Sequence, residues 1–317
     1  GNSVSSGGAG GGLYCSGIPT AMIVGNRFTA NAAANGSTYG GAIYLINCGS
    51  TLQITGNTFT SNQSAHGGAI CCYTSSPTVS SNVISSNQST QDGGGIWCYN
   101  SAPQVVGNVI TGNLAGYAGY GGGIFCWLGS PPVINNTIAS NTAPYGGGIS
   151  SYNSSPRISN NIVVSNSSGI YKTGSGTPYL GNNDVWGNVS SNYSGISDPT
   201  GTVGNISADP HLASLDNGIV RIRSNSPCID AGSDTEVQQQ WTDIDAQPRI
   251  QGTHVDIGAD ESDGCDYYTI TFSGDPVYGI AGGSVDITAH VADWDGNPVS
   301  GVRVTIYIAD GTVTHVN

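Results

Sequence analysis

The sequence predicts an all-β solenoid, and three observations predict it. The first is composition. Of 317 residues, 49 are Gly, 9% are charged and one is Met. Helix formers are scarce, and short β-branched runs are punctuated by Gly, Asn and Ser. The second is a recurring unit, cleanest as GGGIWCYNSAPQVVGNVITGN over residues 93–113. The third is its spacing. After Leu13 and Ile43, the anchors Ile70, Ile96, Ile124 and Ile149 follow at steps of 27, 26, 28 and 25 residues. Fixed-period self-similarity means that each unit buries its apolar side against the next.

Each element of the unit has its own warrant. The anchor follows a glycine pair and opens a first strand of the form Ile-x-Cys. A second strand follows Ser-Pro and carries Val79, Val105, Ile134 and Ile158. A third holds an apolar residue between two Asn, as in Asn57/Phe59/Asn62, Asn82/Ile84/Asn87 and Asn108/Ile110/Asn113. Three short strands per coil suit a right-handed parallel β-helix, with coils stacked about 4.8 Å apart. The paired Asn are expected to form ladders at the turns and to take left-handed backbone there. The LxxLxL pattern of a leucine-rich solenoid is absent.

The copies GGAI at 40–43 and 67–70, with FTAN at 28–31 and FTSN at 59–62, resemble the repeats of chlamydial polymorphic outer-membrane proteins. Those are β-helical surface adhesins and autotransporter passengers. The resemblance implies a β-helix and a surface location. Later copies depart from it, with Ile or Val in place of Phe.

Alternation along the first strand sorts side chains into columns. With the anchor inward, Cys15, Leu45, Cys72, Cys98, Cys126 and Ser151 also point inward. They read as small core hydrophobes; stacked disulfides have poor geometry, and a thiol metal ladder lacks interleaved His. Cys71 points outward. The same parity puts two aromatic columns outside: Tyr14, Tyr44, Trp97, Phe125, and Tyr73, Tyr99, Trp127, Tyr152. Three covers are open: a later segment of the chain, a neighbouring subunit or matrix partner, or sugar rings stacked on the aromatic faces. The opposite parity would bury the rings and expose the cysteines.

Past residue 178 the period breaks. We divide the chain into repeats at 1–190, a cap of the solenoid at 191–265 and a third region at 266–317. The motifs GNNDVWGN (181–188), DPHL (209–212), SPCIDAG (226–232) and RIQGTHVDIGADE (249–261) resemble the cap of secreted bacterial and archaeal β-helix proteins of the choice-of-anchor type. That resemblance implies export and no reaction. Asp230, Asp243, Asp245, Asp256, Asp260 and Glu261 cluster here with Arg249. They read as turn formers and an ion pair, or as a calcium site of hard oxygen ligands. No other cofactor is implied. Cys228 and Cys265 are a candidate disulfide. From Tyr267 the strands alternate, and DGNPVSGVRVTIYI (295–308) resembles invasin-type bacterial immunoglobulin-like domains. About fifty residues make half of such a sandwich. A longer natural chain, or a strand from a second copy, would complete it.

Charge bounds function. Net charge is −13, and Asp92 is the one acid before residue 183. Neither half offers a basic surface for nucleic acid, and no apolar run reaches a membrane span. No secretory signal opens the chain, which reads as a fragment or processed form. Polysaccharide lyases and glycosidases need paired charged groups on a groove. The coils offer only Asp92, Arg27, Arg157 and Lys172, and the histidines, His66 among them, look scattered. The expectation is therefore a non-enzymatic extracellular or cell-surface protein, structural or adhesive, a rod for attachment or for assembly into a layer, sheath or filament. Its partners would be a surface or matrix component, carbohydrate, or its own copies. Polysaccharide binding or degradation is the alternative.

Overall fold

The structure, a computed structural model, describes residues 1–4, 8–33, 37–214, 219–262, 269–273, 288–292 and 298. The chain divides into two compact units, Gly1–Asp263 and Gly264–Asn317. In the first unit it winds as a parallel β-helix with sheets of eight, seven and seven strands. The eight-stranded sheet takes the Ile-x-Cys strands, Leu13–Ser16 through Ile149–Tyr152. Their register is unbroken: Ile43, Ile70, Ile96, Ile124 and Ile149 stand beside one another. Ile170–Thr173 and Tyr193–Ser194 extend this sheet beyond the last glycine-pair motif.

The inward parity is as expected. Ile43, Leu45, Ile70, Cys72, Ile96, Cys98, Ile124 and Cys126 are all 0% exposed and form one core with Ile54, Phe59, Val79, Ile84 and Ile110. Burying each large aliphatic contributes about 1.5–3 kcal/mol, so a stack of coils succeeds where one coil fails. The column thiols are free and act as packing groups. Burial pushes the Cys72 thiol up to about 12. The outward Cys71 is also fully buried, which the sequence did not indicate.

Two features correct the sequence reading. The early coils have a fourth side. Ser3–Val4, Ala32–Ala33, Gln63–His66 and Gln88–Asp92 form a four-stranded sheet. These pieces carry Ala, Ser, Gln and Thr, so hydropathy does not mark them as strands. The ladder Asn, moreover, are not the left-handed residues. The residue before each Asn is: Ser81 at φ 51°, Gly107 at 63° and Asn135 at 53°. That corner turns the Asn side chain inward. Asn82 then receives Asn57 N–H on Oδ1 and donates from Nδ2 to Asn108 Oδ1 and Ile54 O, all within 2.9 Å. The amides thereby satisfy corner backbone groups that burial would otherwise leave unpaired.

The glycine pair has two separate roles. The first member, such as Gly40 at φ 63°, takes the left-handed corner. The second sits where stacked backbones touch: a Cβ on Gly41 would lie 2.1 Å from Gly68 O.

The C-terminal segment runs back along the side of the solenoid. A shortened coil through Asn205 and Ile206 continues the first Asn ladder. The chain then returns over the third sheet. Ile222, Cys228 and Ile257 pack on Ala139, Ile162 and Val164, and Val220 and Ala259 pack on Val109. Gly258 N–H donates to Asn160 O, and Ala259 N–H to Thr137 Oγ1. This strap covers apolar side chains such as Ile162 and Val164 that point out of the third sheet; within 191–265, Tyr193, Ile196 and Ile206 stack on the end of the solenoid and the residues after them lie along its side.

In the second unit, Thr269–Ser273 and Thr288–Ala292 form an antiparallel pair. Pro298 bridges to Ala292, and the other residues of the expected immunoglobulin-like region lie outside the described residues.

Candidate functional site: the aromatic face

The outer side of the eight-stranded sheet is the most distinctive surface of the coils. Both predicted aromatic columns do point outward, but only one meets solvent along its length. In the first column Tyr14 is 52% exposed, whereas Tyr44, Trp97 and Phe125 are 6% exposed or less. In the second, Tyr73, Tyr99, Trp127 and Tyr152 are all half-buried.

The cover over the first column is local. The residue just before each glycine pair folds back onto the sheet at the left-handed corner. Tyr39 stacks on Tyr44 at 5.3 Å between ring centres, His66 on Trp97 at 4.7 Å and Tyr120 on Phe125 at 5.3 Å. Tyr145 and Tyr171 extend the patch at 4.9 Å from Tyr120 and 5.3 Å from Tyr145. The result is a second, aromatic core on the outside of the helix.

Ring orientation limits what this face can do. Tyr73 and Tyr99 lie 4.7 Å apart at 28°, so each turns a face to the other. Trp127 stands at 82° to Tyr99 and 71° to Tyr152. Among the described residues none of the face's tyrosine hydroxyls has a hydrogen-bond partner, and Trp97 Nε1 is buried without one. Burial raises the Tyr39, Tyr44 and Tyr120 hydroxyls above their ordinary range, which keeps them neutral donors. The rings of the face are thus uncharged, apolar in body and edged with hydroxyls.

One His–Asp pair is set among the rings. His66 Nδ1 lies 3.4 Å from Asp92 Oδ2, with side chains 12% and 16% exposed. Sequence reading treated both as isolated. The signal that joins them is positional: each immediately precedes a glycine pair, at His66-Gly67-Gly68 and Asp92-Gly93-Gly94.

The acidic cluster of the strap is gathered around Arg249, itself 2% exposed. Arg249 pairs with Glu261 at 2.9 Å and donates to the carbonyls of Ala259 and Gly258. Asp243 accepts from the N–H groups of Asp245, Gln247 and Glu261; Asp256 accepts from Asp230 and Ser262. Asp245 pairs with Arg221. These carboxylates are directed at N–H groups. Among the described residues no group of three or more His, Cys, Asp or Glu is arranged to hold a metal ion. Burial pushes Asp260 up to about 7 and Glu261 to about 8, the latter against the pull of Arg249. Cys228 is a free, buried thiol that donates to Asp184 Oδ2 at 3.3 Å. Cys265 lies outside the described residues.

Stacked parallel coils, in-register ladders and an ordered outer face define the class of protein as a right-handed parallel β-helix. The chain belongs to the family described as the right handed beta helix region, whose model matches residues 1–143 and 41–205. No curated protein and no solved structure matches it. No helix among the described residues is long and apolar enough to cross a membrane.

Proposed function

We propose that this chain is an extracellular, cell-surface structural or adhesive protein, a rigid β-helical rod that presents the aromatic face to a partner. The observation that carries this reading is the solvent-facing column Tyr73, Tyr99, Trp127 and Tyr152, continuous over four neighbouring strands and unpaired at its hydroxyls. Rigid amphipathic rings lose little side-chain entropy on binding, which is why Tyr and Trp dominate contact surfaces. The exposed column is neutral, so binding to it would depend weakly on salt.

The test is retention of the purified chain, under flow, on matrix-coated or self-coated surfaces. Replacing Tyr73, Tyr99 and Trp127 together by Ser should abolish retention and leave the β circular dichroism unchanged. Equal retention of the variant would remove the aromatic face from the proposal.

A second reading, polysaccharide binding or turnover, is favoured by one observation: the His66–Asp92 pair lies within this aromatic surface. A charged residue held beside a His is a common acid–base arrangement. Release of reducing ends from a polysaccharide panel by the wild type, lost in His66→Ala, would favour this reading over the first.

A further inference from the structure

A cleft of about 380 Å³ opens where the solenoid ends, between residues 172–180 and 196–203. It exists because the terminal coil stacks only briefly. Tyr193 and Ser194 pair with Ile170 and Tyr171, and the ladder then stops. Gly195 carries the chain away at φ 73°, so close to the coil beneath that a Cβ there would lie 1.9 Å from Lys172 O. Tyr193 and Ile196 pack on the last core layer, and Leu180 and Ile196 form the apolar floor of the cleft.

Lys172 stands in this cleft at an unusual position. It continues the inward column Cys98, Cys126, Ser151, otherwise a column of small or apolar side chains. An ammonium group is seldom placed on the core side of a strand without a counter-charge. Lys172 has no ion-pair partner among the described residues. The neighbouring Asp198 accepts from Thr200 N–H within its own turn.

The opposite wall is fixed in advance. Asn182 N–H donates to Val203 O, Thr202 N–H to Pro199 O, and Asn205 Nδ2 to Leu180 O. Val203 is held at φ 48° and is 57% exposed. A β-branched residue in the left-handed region is a rare and costly conformation, of the kind that clusters at ligand sites. Here it lines the cleft with an apolar group.

We infer that this cleft binds a small monocarboxylate with an apolar body, its carboxylate on Lys172 and its body on Leu180, Ile196 and Val203. The volume is at the small end of ligand pockets, which span about 300–1,000 Å³. The site is separate from the aromatic face and does not rest on the adhesive reading.

The test is a calorimetric titration of the whole chain with hexanoate, hexanol and glucuronate. Hexanoate should bind with a dissociation constant of about 1 mM, as expected for a ligand of about eight non-hydrogen atoms. Lys172→Met should weaken it about 10-fold or more, the effect of losing a charge-assisted bond. Val203→Asn, which suits the left-handed backbone, should weaken hexanoate and leave the melting temperature unchanged or higher. Three results would each overturn the proposal: no hexanoate binding by the wild type, equal binding by Lys172→Met, or hexanol binding as tightly as hexanoate. Glucuronate displacing hexanoate would assign the site to a sugar acid and reject the apolar body.

Discussion

His66 and Asp92 are partners across a β-bulge. Gln88–Asp92 has five residues against four in Gln63–His66, and the extra residue brings Asp92 opposite His66. A bulge re-aims the side chain that follows it. Asp92 Oδ2 then lies 3.4 Å from His66 Nδ1 without a hydrogen bond, while Oδ1 accepts Tyr120 N–H at 3.0 Å, so one carboxylate touches the coils on both sides of its own.

From this geometry Asp92→Ala should destabilise the chain by about 1–3 kcal/mol, because the Tyr120 N–H loses its acceptor in a half-buried place. Asp92→Asn keeps an acceptor and should cost less. Urea denaturation midpoints of the two variants measure the difference. Equal midpoints for Asp92→Ala and the wild type would mean that the carboxylate joins nothing.

The Asn ladders should fail in proportion to depth. Asn108 is fully buried; its Nδ2 donates to Val79 O, Val106 O and Asn136 Oδ1, and its Oδ1 accepts from Asn82. Asn108→Ala strands several buried backbone groups and should cost about 3–5 kcal/mol. Asn26, at the exposed start of the same ladder, should cost under about 1 kcal/mol on the same change. Thermal melts of the two variants decide this, and similar losses would show that the ladder is not an energetic unit.

What was legible in the sequence follows from what repeats. Ile96, Cys98, Val105 and Ile110 repeat with an inward parity, so the coil, its core and the outward pointing of Trp97 and Tyr99 could be read directly. The corner chemistry was misassigned because Asn tolerates left-handed backbone in general, while here Ser81 or Gly107 takes it and frees Asn82 or Asn108 to point inward. The fourth strand hid in Gln63–His66 because its residues are not β-formers. The roof over Trp97 was missed because His66 and Trp97 are far apart in any alternation pattern. Only the left-handed Gly67 between them brings the imidazole back onto the sheet. The strap was not separated from the residues that stack on the solenoid end, because its motifs mark a segment without saying which sheet it lies on.

Stability should fall as pH rises from acid to neutral. Burial pushes Asp184 up to about 6, with Ala208 N–H and the Cys228 thiol opposing, and Asp260 to about 7, with Ile222 N–H opposing. Both folded values exceed the unfolded one. Their contribution is therefore complete below about pH 4 and is lost as pH rises through 6 and 7. At 1.36 kcal/mol per unit, the Asp184 change is worth about 3 kcal/mol. Melting temperatures between pH 4 and 8 should decline, and Asp184→Asn should flatten part of the decline. A melting temperature that rises over this range would contradict the assignment.

Arg249 should hold the strap to the solenoid side. Its guanidinium reaches Glu261 and the carbonyls of Gly258 and Ala259, and the N–H groups of those same two residues bond to Asn160 and Thr137 of the coils. A lysine offers one point charge where Arg supplies a planar fork, so Arg249→Lys is not conservative here. Arg249→Ala leaves the buried carbonyls of Gly258 and Ala259 without their donor and Glu261 without its partner, at a cost of about 1–3 kcal/mol. The loss should be local, since the coils keep their own ladders and core. In hydrogen exchange the amides of Gly258 and Ala259 should lose protection in both variants, more in Arg249→Ala, while those of Ile96 and Ile124 should not change. Uniform loss across strap and coils would show instead that the two unfold as one cooperative body.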